Sequence, residues 1–387
     1  MSERLAGRAK LLFLVGGFQV GGTEQHLSLV LPRLSRERWN ISVRLLGLDG
    51  PLSESIRAAG LDMRPIESDV SVFIPKVQGV VRLVSQVKAV ANEIYQIQPD
   101  LVHCFLPEPS IMGWLARKWG RQKPKLVMSR RSQNDRPESF LLEKRLERLA
   151  LRSADYVLAH SSAVRDEIEA MGVSATRLRK IHNGILIGEP QDADGQSALR
   201  SRFGWDDEDV LLVCVANLIP YKGHVSLLSA LGSLVGKTAP FRLVLIGQGE
   251  ASVTASLKQQ AKAQGLESFV VFLGRSSEVA RQLRACDVGV LASEHEGFSN
   301  ALIEYMAAGL SVVATSVGGN RDAVEHDVTG LLVPPRDTAA LAAALKRLID
   351  DRSFRGRLGL AGRERAVTHF SIEECVANYE AFYDEVL

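Results

Sequence analysis

The chain is predicted to be α/β, with two Rossmann-like doubly wound domains in tandem facing a central cleft. Three observations carry that prediction. Apolar runs of strand length alternate with helical patterns; the series stops at a polar stretch and then starts again; and 387 residues, 46% of them hydrophobic, supply enough apolar material for two cores.

The first series comprises "LLFLV" (11–15), "ISVRLL" (41–46), "DLVHCFL" (100–106), "KLVMS" (125–129) and "DYVLAH" (155–160). Near-continuous apolar runs of this kind suit strands covered on both faces of a parallel sheet. Helical patterns over 22–35, 76–98 and 138–152 supply the crossovers of βαβ units. From Gly188 to Asp209 the chain is polar and has no sustained period, so the interdomain linker is placed at its start. The second series runs "VLLVCVANL" (210–218), "FRLVLIGQG" (241–249), "FVVFLG" (269–274), "DVGVLAS" (287–293), "LSVVATSVGG" (310–319) and "GLLVPP" (330–335), with helices at 225–236, 251–264, 299–308 and 337–349. Ser371 is the expected N-cap of a final amphipathic helix over 371–387. The expected parts are therefore 1–187, 188–370 and 371–387.

Composition excludes several classes. Cys104, Cys214, Cys286 and Cys375 stand far apart with no C-x-x-C pair, and read as buried thiols of a reducing compartment. The apolar run at 11–15 is too short for a secretion signal, and no window approaches the ~20 apolar residues needed to cross a bilayer; a cytoplasmic protein is expected. The net charge of +2 hides an asymmetry, because residues 1–185 hold 28 Lys+Arg against 19 Asp+Glu. That basic half fits phosphate-bearing substrates or an anionic membrane surface as well as ordinary scattered surface charge; a nucleic-acid partner is not expected.

In open α/β sheets ligands lie beyond the carboxyl ends of the strands. After the first strand, "GGFQVGGTEQH" leads into a helix and lets backbone amides approach a phosphate, although its spacing is not the dinucleotide fingerprint and a tight turn explains it about as well. His103 and Glu108 follow in "DLVHCFLPEP", where His103 is either a strand-end ligand group or a satisfied buried histidine. In "NLIPYKGHVSLLSAL", Lys222 precedes Gly223 and a helix and can neutralise a diphosphate. The stretch "EHEGFSNALIEYMAAG" places Glu296 in a loop and Glu304 one turn inside a helix that Ser299 or Asn300 caps and Gly309 stops. The free amides at that helix start form a cradle for an anion, flanked by two carboxylates that suit paired sugar hydroxyls.

This pattern resembles the retaining glycosyltransferases of family 4, which have the GT-B fold, over nearly the whole chain. Their E-x7-E motif matches Glu296 and Glu304. The resemblance implies that Glu304 holds the nucleotide ribose and Glu296 the transferred sugar. It further implies that amides around Gly297, Phe298, Ser299, Asn300, Ala301 and Leu302 bind diphosphate and sugar, and that Lys222 and Gly223 meet the departing diphosphate. His103 would stand near the reaction centre, Gly21 and Gly22 would approach from the opposite domain, Gly274 and Arg275 of "FLGR" would lie near the nucleobase, and the final helix would cross back onto the first domain. Asn217 replaces an arginine frequent five residues before the lysine, so Lys222, helix amides, Arg275 or Arg321 must hold the diphosphate. Asp322 likewise stands where a glutamate is frequent.

The implied reaction takes a sugar from a nucleotide diphosphate sugar, a UDP-sugar by resemblance, to a hydroxyl acceptor that is lipid-linked in one reading, by same-face attack. No resident cofactor and no metal are expected; Asp192 and Asp194 spell D-x-D but fall in the polar linker. A nucleotide-sugar 2-epimerase, a phosphorylase and a noncatalytic nucleotide-binding scaffold are the alternatives. The basic stretches "WLARKWGRQKPK" (114–125), "RRSQNDR" (130–136) and "EKRLERLALR" (143–152) are candidates for contact with anionic headgroups.

Overall fold

The computed structural model describes residues 7–19, 21–67, 78–131, 141–189 and 200–387, with only the backbone of 78–81. Asp192 and Asp194, Val20, residues 132–136 of the second basic stretch, and the starts of the helices expected at 76 and 138 lie outside them. The chain divides into two compact units, residues 1–184 with 375–387, and residues 185–374.

The first unit contains β1 (Ala9–Val15), α1 (Gly22–Val30), β2 (Trp39–Leu45), α2 (Ser53–Ala58), β3 (Asp62–Pro65), α3 (Gln78–Ile97), β4 (Leu101–Phe105) and α4 (Pro107–Trp119). It continues with β5 (Lys125–Arg130), α5 (Leu141–Ser153), β6 (Tyr156–Ala159), α6 (Ser162–Ala170) and β7 (Leu178–Lys180). Its parallel sheet has the order β3-β2-β1-β4-β5-β6-β7, so the strand order reverses between β1 and β4. Two of these strands escape an apolar-run reading. β3 is exposed and polar because it is an edge strand, and β7 is only three residues long. On one face, Val87, Val90 and Ile94 of α3, Ile111 and Leu115 of α4, and Ala150 and Leu151 of α5 pack on Leu12, Leu14, Val102 and Leu126.

The second unit contains β8 (Val210–Val215), α7 (His224–Gly232), β9 (Phe241–Ile246), α8 (Ala251–Ala263), β10 (Val270–Gly274), α9 (Val279–Arg284), β11 (Val288–Leu291), α10 (Asn300–Ala307) and β12 (Ser311–Thr315). After it come α11 (Asn320–Ala323), β13 (Leu331–Val333), α12 (Thr338–Asp350) and α13 (Arg352–Phe370). The sheet order is β10-β9-β8-β11-β12-β13, and it reverses between β8 and β11. Each face of this sheet carries its own apolar layer, which is why the strands read as unbroken hydrophobic runs.

The last helix, α14 (Ile372–Val386), begins in the second unit and from Cys375 onward packs with the first. Ser371 Oγ accepts the Glu374 N–H at 3.2 Å, which caps it. All four cysteines are buried thiols, as their spacing predicts.

Candidate functional site

The crevice where a doubly wound sheet reverses its strand order is formed by the two loops that leave the central strands in opposite directions. In the second unit those loops follow β8 and β11, and they carry Lys222 and Glu296. Lys222 closes a short 3-10 turn over Pro220–Lys222. Gly223 follows at φ +72°, and a Cβ there would stand 1.9 Å from the Ala292 carbonyl oxygen at the exit of β11. Only glycine permits both the backbone conformation and the approach, and this approach seats the lysine beside the second loop.

Lys222 Nζ lies 2.6 Å from Glu296 Oε1. The fully buried Ser293 donates its hydroxyl to the same oxygen at 2.7 Å. Behind this pair runs a second line of hydrogen bonds: Thr315 Oγ1 donates to the Ser293 carbonyl at 2.5 Å, and Asn320 Nδ2 donates to the Thr315 carbonyl at 3.0 Å. Gly318, at φ +46°, leaves room for the Glu296 carbonyl, which an added Cβ would meet at 1.6 Å. Gly319 N–H donates to the Gly297 carbonyl at 3.0 Å. The Glu296 loop is thus held from both sides, by the lysine turn on one and the β12–α11 turn on the other.

Past Phe298, whose ring is buried against Phe370, α10 begins. Ser299 Oγ accepts the Leu302 N–H at 3.4 Å, a long cap bond, and Gly309 ends the helix at φ +83°. The amides of Asn300 and Ala301 occupy the first turn, where a helix favours negative charge. Glu304 is half-buried one turn further in, and burial raises its pKa because desolvation disfavours the ionised carboxylate. Tyr305 fixes the helix by accepting the Val215 N–H at 2.6 Å, under a ring that packs into the space of the absent side chain of Gly289.

The remaining expected donor residues share this edge of the sheet. Asn217 is exposed just past β8; Leu218 N–H donates to the Gln248 carbonyl and Gly247 N–H to the Gly274 carbonyl, which ties the ends of β8, β9 and β10 together. Arg275 and Arg321 are exposed. His224, next to Lys222, is held neutral, its pKa lowered to about 4 by burial and then by the lysine charge.

The first unit treats its polar residues differently. His103 is not at a strand end but in the middle of β4, 0% exposed. Its Nδ1 pairs with Tyr383 Oη at 2.9 Å and its Nε2 with Ser129 Oγ at 2.8 Å, and burial followed by the Arg131 charge lowers its pKa well below the ordinary value. Of the two readings the sequence offers, the geometry is that of a satisfied buried histidine: two neighbours lie at both ring nitrogens, and the residue bonds α14 to the sheet. His26, on α1, also reaches that helix, its Nε2 3.2 Å from Tyr379 Oη. Gly21 and Gly22 open α1; Gly21 is extended, and a Cβ on Gly22 would meet nothing within 4 Å, so packing does not demand glycine there. An added Cβ on Gly21 would meet the Glu24 side chain, and the close approach to backbone in this loop is at Gly17, whose added Cβ would lie 2.6 Å from the Leu48 carbonyl oxygen.

Ser293, Thr315, Asn320 and Gly318 are the residues that sequence reasoning missed. The glycine pair in "SVGGN" was their visible trace, since a doubled glycine after a strand marks a close backbone approach. Among the described residues no group of three or more His, Cys, Asp or Glu could hold a metal ion.

Two parallel doubly wound units of this kind make the GT-B fold. A solved structure with the same architecture, HepE of Anabaena in complex with UDP, superposes with a TM-score of 0.84 at 23% identity, covering 97% of this chain and 100% of that one. The family model "Glycosyltransferase Family 4" matches residues 20–187, and "Glycosyl transferases group 1" matches residues 195–365. The chain is thus similar to family 4 glycosyltransferases across its first part and to group 1 glycosyl transferases across its second. It is 28% identical over 240 residues to the N-acetyl-alpha-D-glucosaminyl L-malate synthase of Bacillus anthracis, a match that spans 62% of each chain and so less than two thirds of that relative. It is 27% identical over 389 residues to the D-inositol 3-phosphate glycosyltransferase of Geodermatophilus obscurus, across 95% of this chain and 85% of that one.

Proposed function

We propose that the protein transfers a sugar, with retention of configuration, from a UDP-sugar to a hydroxyl of a cell-surface polysaccharide or glycolipid precursor. One observation carries the reading: the Lys222–Glu296 pair at 2.6 Å spans the point where the second sheet reverses, beside the first turn of α10, in a chain matched to glycosyltransferase models at both ends. The choice of nucleotide is supported by HepE, whose structure was solved in complex with UDP.

In this reading the diphosphate lies against the amides of Gly297–Leu302, with Gly274, Arg275 and Asn217 toward the nucleoside side. Glu304 accepts the ribose hydroxyls and Glu296 the hydroxyls of the sugar. As the anomeric C–O bond breaks, its electron pair goes to the diphosphate oxygen, and Lys222 meets the charge that accumulates there. The acceptor oxygen attacks the same face, and its proton passes to the departing phosphate oxygen. Glu296 positions the sugar through hydrogen bonds and forms no covalent bond to it. A donor that takes Lys222 leaves Glu296 held by the Ser293 hydroxyl and able to accept the sugar hydroxyls, so the unliganded pair keeps both groups in place until the donor arrives.

The test is a panel of nucleotide sugars screened for thermal stabilisation, followed by product analysis with the best binder. UDP-sugars should stabilise the protein most. Lys222→Ala should lose about 100-fold or more in turnover, the scale for a group aimed at developing transition-state charge, while its melting temperature holds. An epimerised nucleotide sugar formed without acceptor, or near-normal turnover in that variant, overturns the reading.

A further inference from the structure

Among the described residues, helix α5 has one face that is exposed. At about 100° per residue, Leu141, Leu142, Arg145, Arg148, Leu149 and Arg152 fall within one arc of about 120°. All six are exposed, the leucines at 55%, 71% and 49%. The opposite arc holds Glu147, Ala150 and Leu151, all buried on the sheet side. The pattern separates charge as well as polarity. Glu147 turns inward, its Oε1 3.5 Å from Arg130 Nε in a buried pair, whereas the three arginines face out. Arg148 donates Nε to the Met171 carbonyl at 2.9 Å and remains exposed.

Three large apolar side chains on a solvent-exposed helix are unusual for a surface with no partner, and three arginines interleaved with them define the partner. A second copy of the same face would bring like charges together. An anionic bilayer satisfies both components: leucines enter the headgroup boundary and guanidinium groups stay at the phosphates. The neighbouring helix α4 ends in the exposed Trp119, preceded by Lys118 and followed by Arg121, also exposed. α4 packs against α5, and both connect parallel strands, so Trp119 and Arg152 lie toward the same end of this helical layer.

We infer that the outward face of α5 is a docking surface for an anionic lipid bilayer, with Leu141, Leu142 and Leu149 as its apolar contacts and Arg145, Arg148 and Arg152 as its charge contacts. This inference names the surface behind the basic character of the first 185 residues and does not depend on the assignment of the donor site.

Sedimentation of the full chain with vesicles of phosphatidylcholine, alone or mixed with phosphatidylglycerol, tests it. The protein should pellet with the mixed vesicles, release as salt rises, and stay in solution with the neutral ones. The Arg145→Gln/Arg148→Gln/Arg152→Gln variant should bind the mixed vesicles roughly 100-fold more weakly, from about fivefold per basic residue near a charged surface. The Leu141→Ser/Leu142→Ser/Leu149→Ser variant should lose binding while keeping the wild-type far-UV circular dichroism spectrum and melting temperature, since those side chains are exposed. Three results would overturn the inference: no pelleting with the mixed vesicles, pelleting that neither variant reduces, or a self-association of the wild type that the leucine variant abolishes while vesicle binding is absent.

Discussion

The two sheets reverse at corresponding points, yet polar residues at and beneath those points do opposite things. In the second unit the loops past β8 and β11 bring Lys222 and Glu296 together at 2.6 Å, with the lysine still partly exposed, and turn the start of α10 toward the same place. In the first unit His26 and His103 lie beneath the surface, bonded to the tyrosines of α14. A shared topology supplies the crevice, and burial then decides whether a polar side chain stays accessible beside it or fastens a helix. His103, with both nitrogens bonded inside the sheet, links α14 to β4 and β5.

The sharpest way to break this contrast is Gly318→Ala. The new Cβ would meet the Glu296 carbonyl at 1.6 Å from a left-handed backbone, so the Glu296 loop must move. Turnover should become undetectable, with a stability loss of about 1–3 kcal/mol from the backbone strain. An active Gly318→Ala enzyme would show that the β12–α11 turn does not set the position of Glu296.

Ser293→Ala is milder. It removes one of two hydrogen bonds to Glu296 Oε1, and kcat should fall about 10-fold, the scale of about 1.4 kcal/mol, with a small change in KM and recovery in Ser293→Thr. Equal losses in the Ala and Thr variants would mean that the hydroxyl acts through packing instead.

Glu304→Gln separates stability from binding. Burial raises the Glu304 pKa in the folded protein above its unfolded value. The protonated group is therefore compatible with the fold at low pH, and stability is lost as pH rises through the folded pKa. At neutral pH the Gln variant should melt higher than the wild type without nucleotide and bind UDP more weakly. Wild-type UDP affinity should also fall as pH drops through that raised pKa, a dependence the Gln variant lacks. Calorimetry across pH checks both directions, and a Gln variant with undiminished affinity removes Glu304 from the ribose.

The smallest effect on catalysis belongs to the first unit. Tyr383→Phe deletes the hydroxyl bonded to His103 and should cost about 1–3 kcal/mol of stability, because a buried imidazole nitrogen loses its partner, while kcat stays within a factor of about two. A large fall in kcat at unchanged stability would return His103 to the reaction centre.

Much of the second unit was legible in the sequence because its determinants are local. All six of its strands show as apolar runs, and helix α10 shows its cap at Ser299 and its stop at Gly309 within a few residues of where the chain places them. The first unit was harder. Edge strand β3 has no buried face to impose a period, β7 is too short to show one, and the helical part of "WLARKWGRQKPK" read as charge because its buried side chains, Leu115 and Ala116, are few among basic ones.

What the sequence determined by itself was the alternation that makes two doubly wound units, and the short-range motifs in which glycine, capping residues and carboxylates stand at fixed spacing. These follow from backbone sterics and helix geometry, which act over a handful of residues. Only the tertiary structure decided that Lys222 pairs with Glu296, that Ser293, Thr315 and Asn320 hold the loop from behind, and that His103 pairs with Tyr383 and Ser129. The His103 and Lys222 contacts join residues from 26 to 280 positions apart, and burial is a property of the assembled sheet and helices.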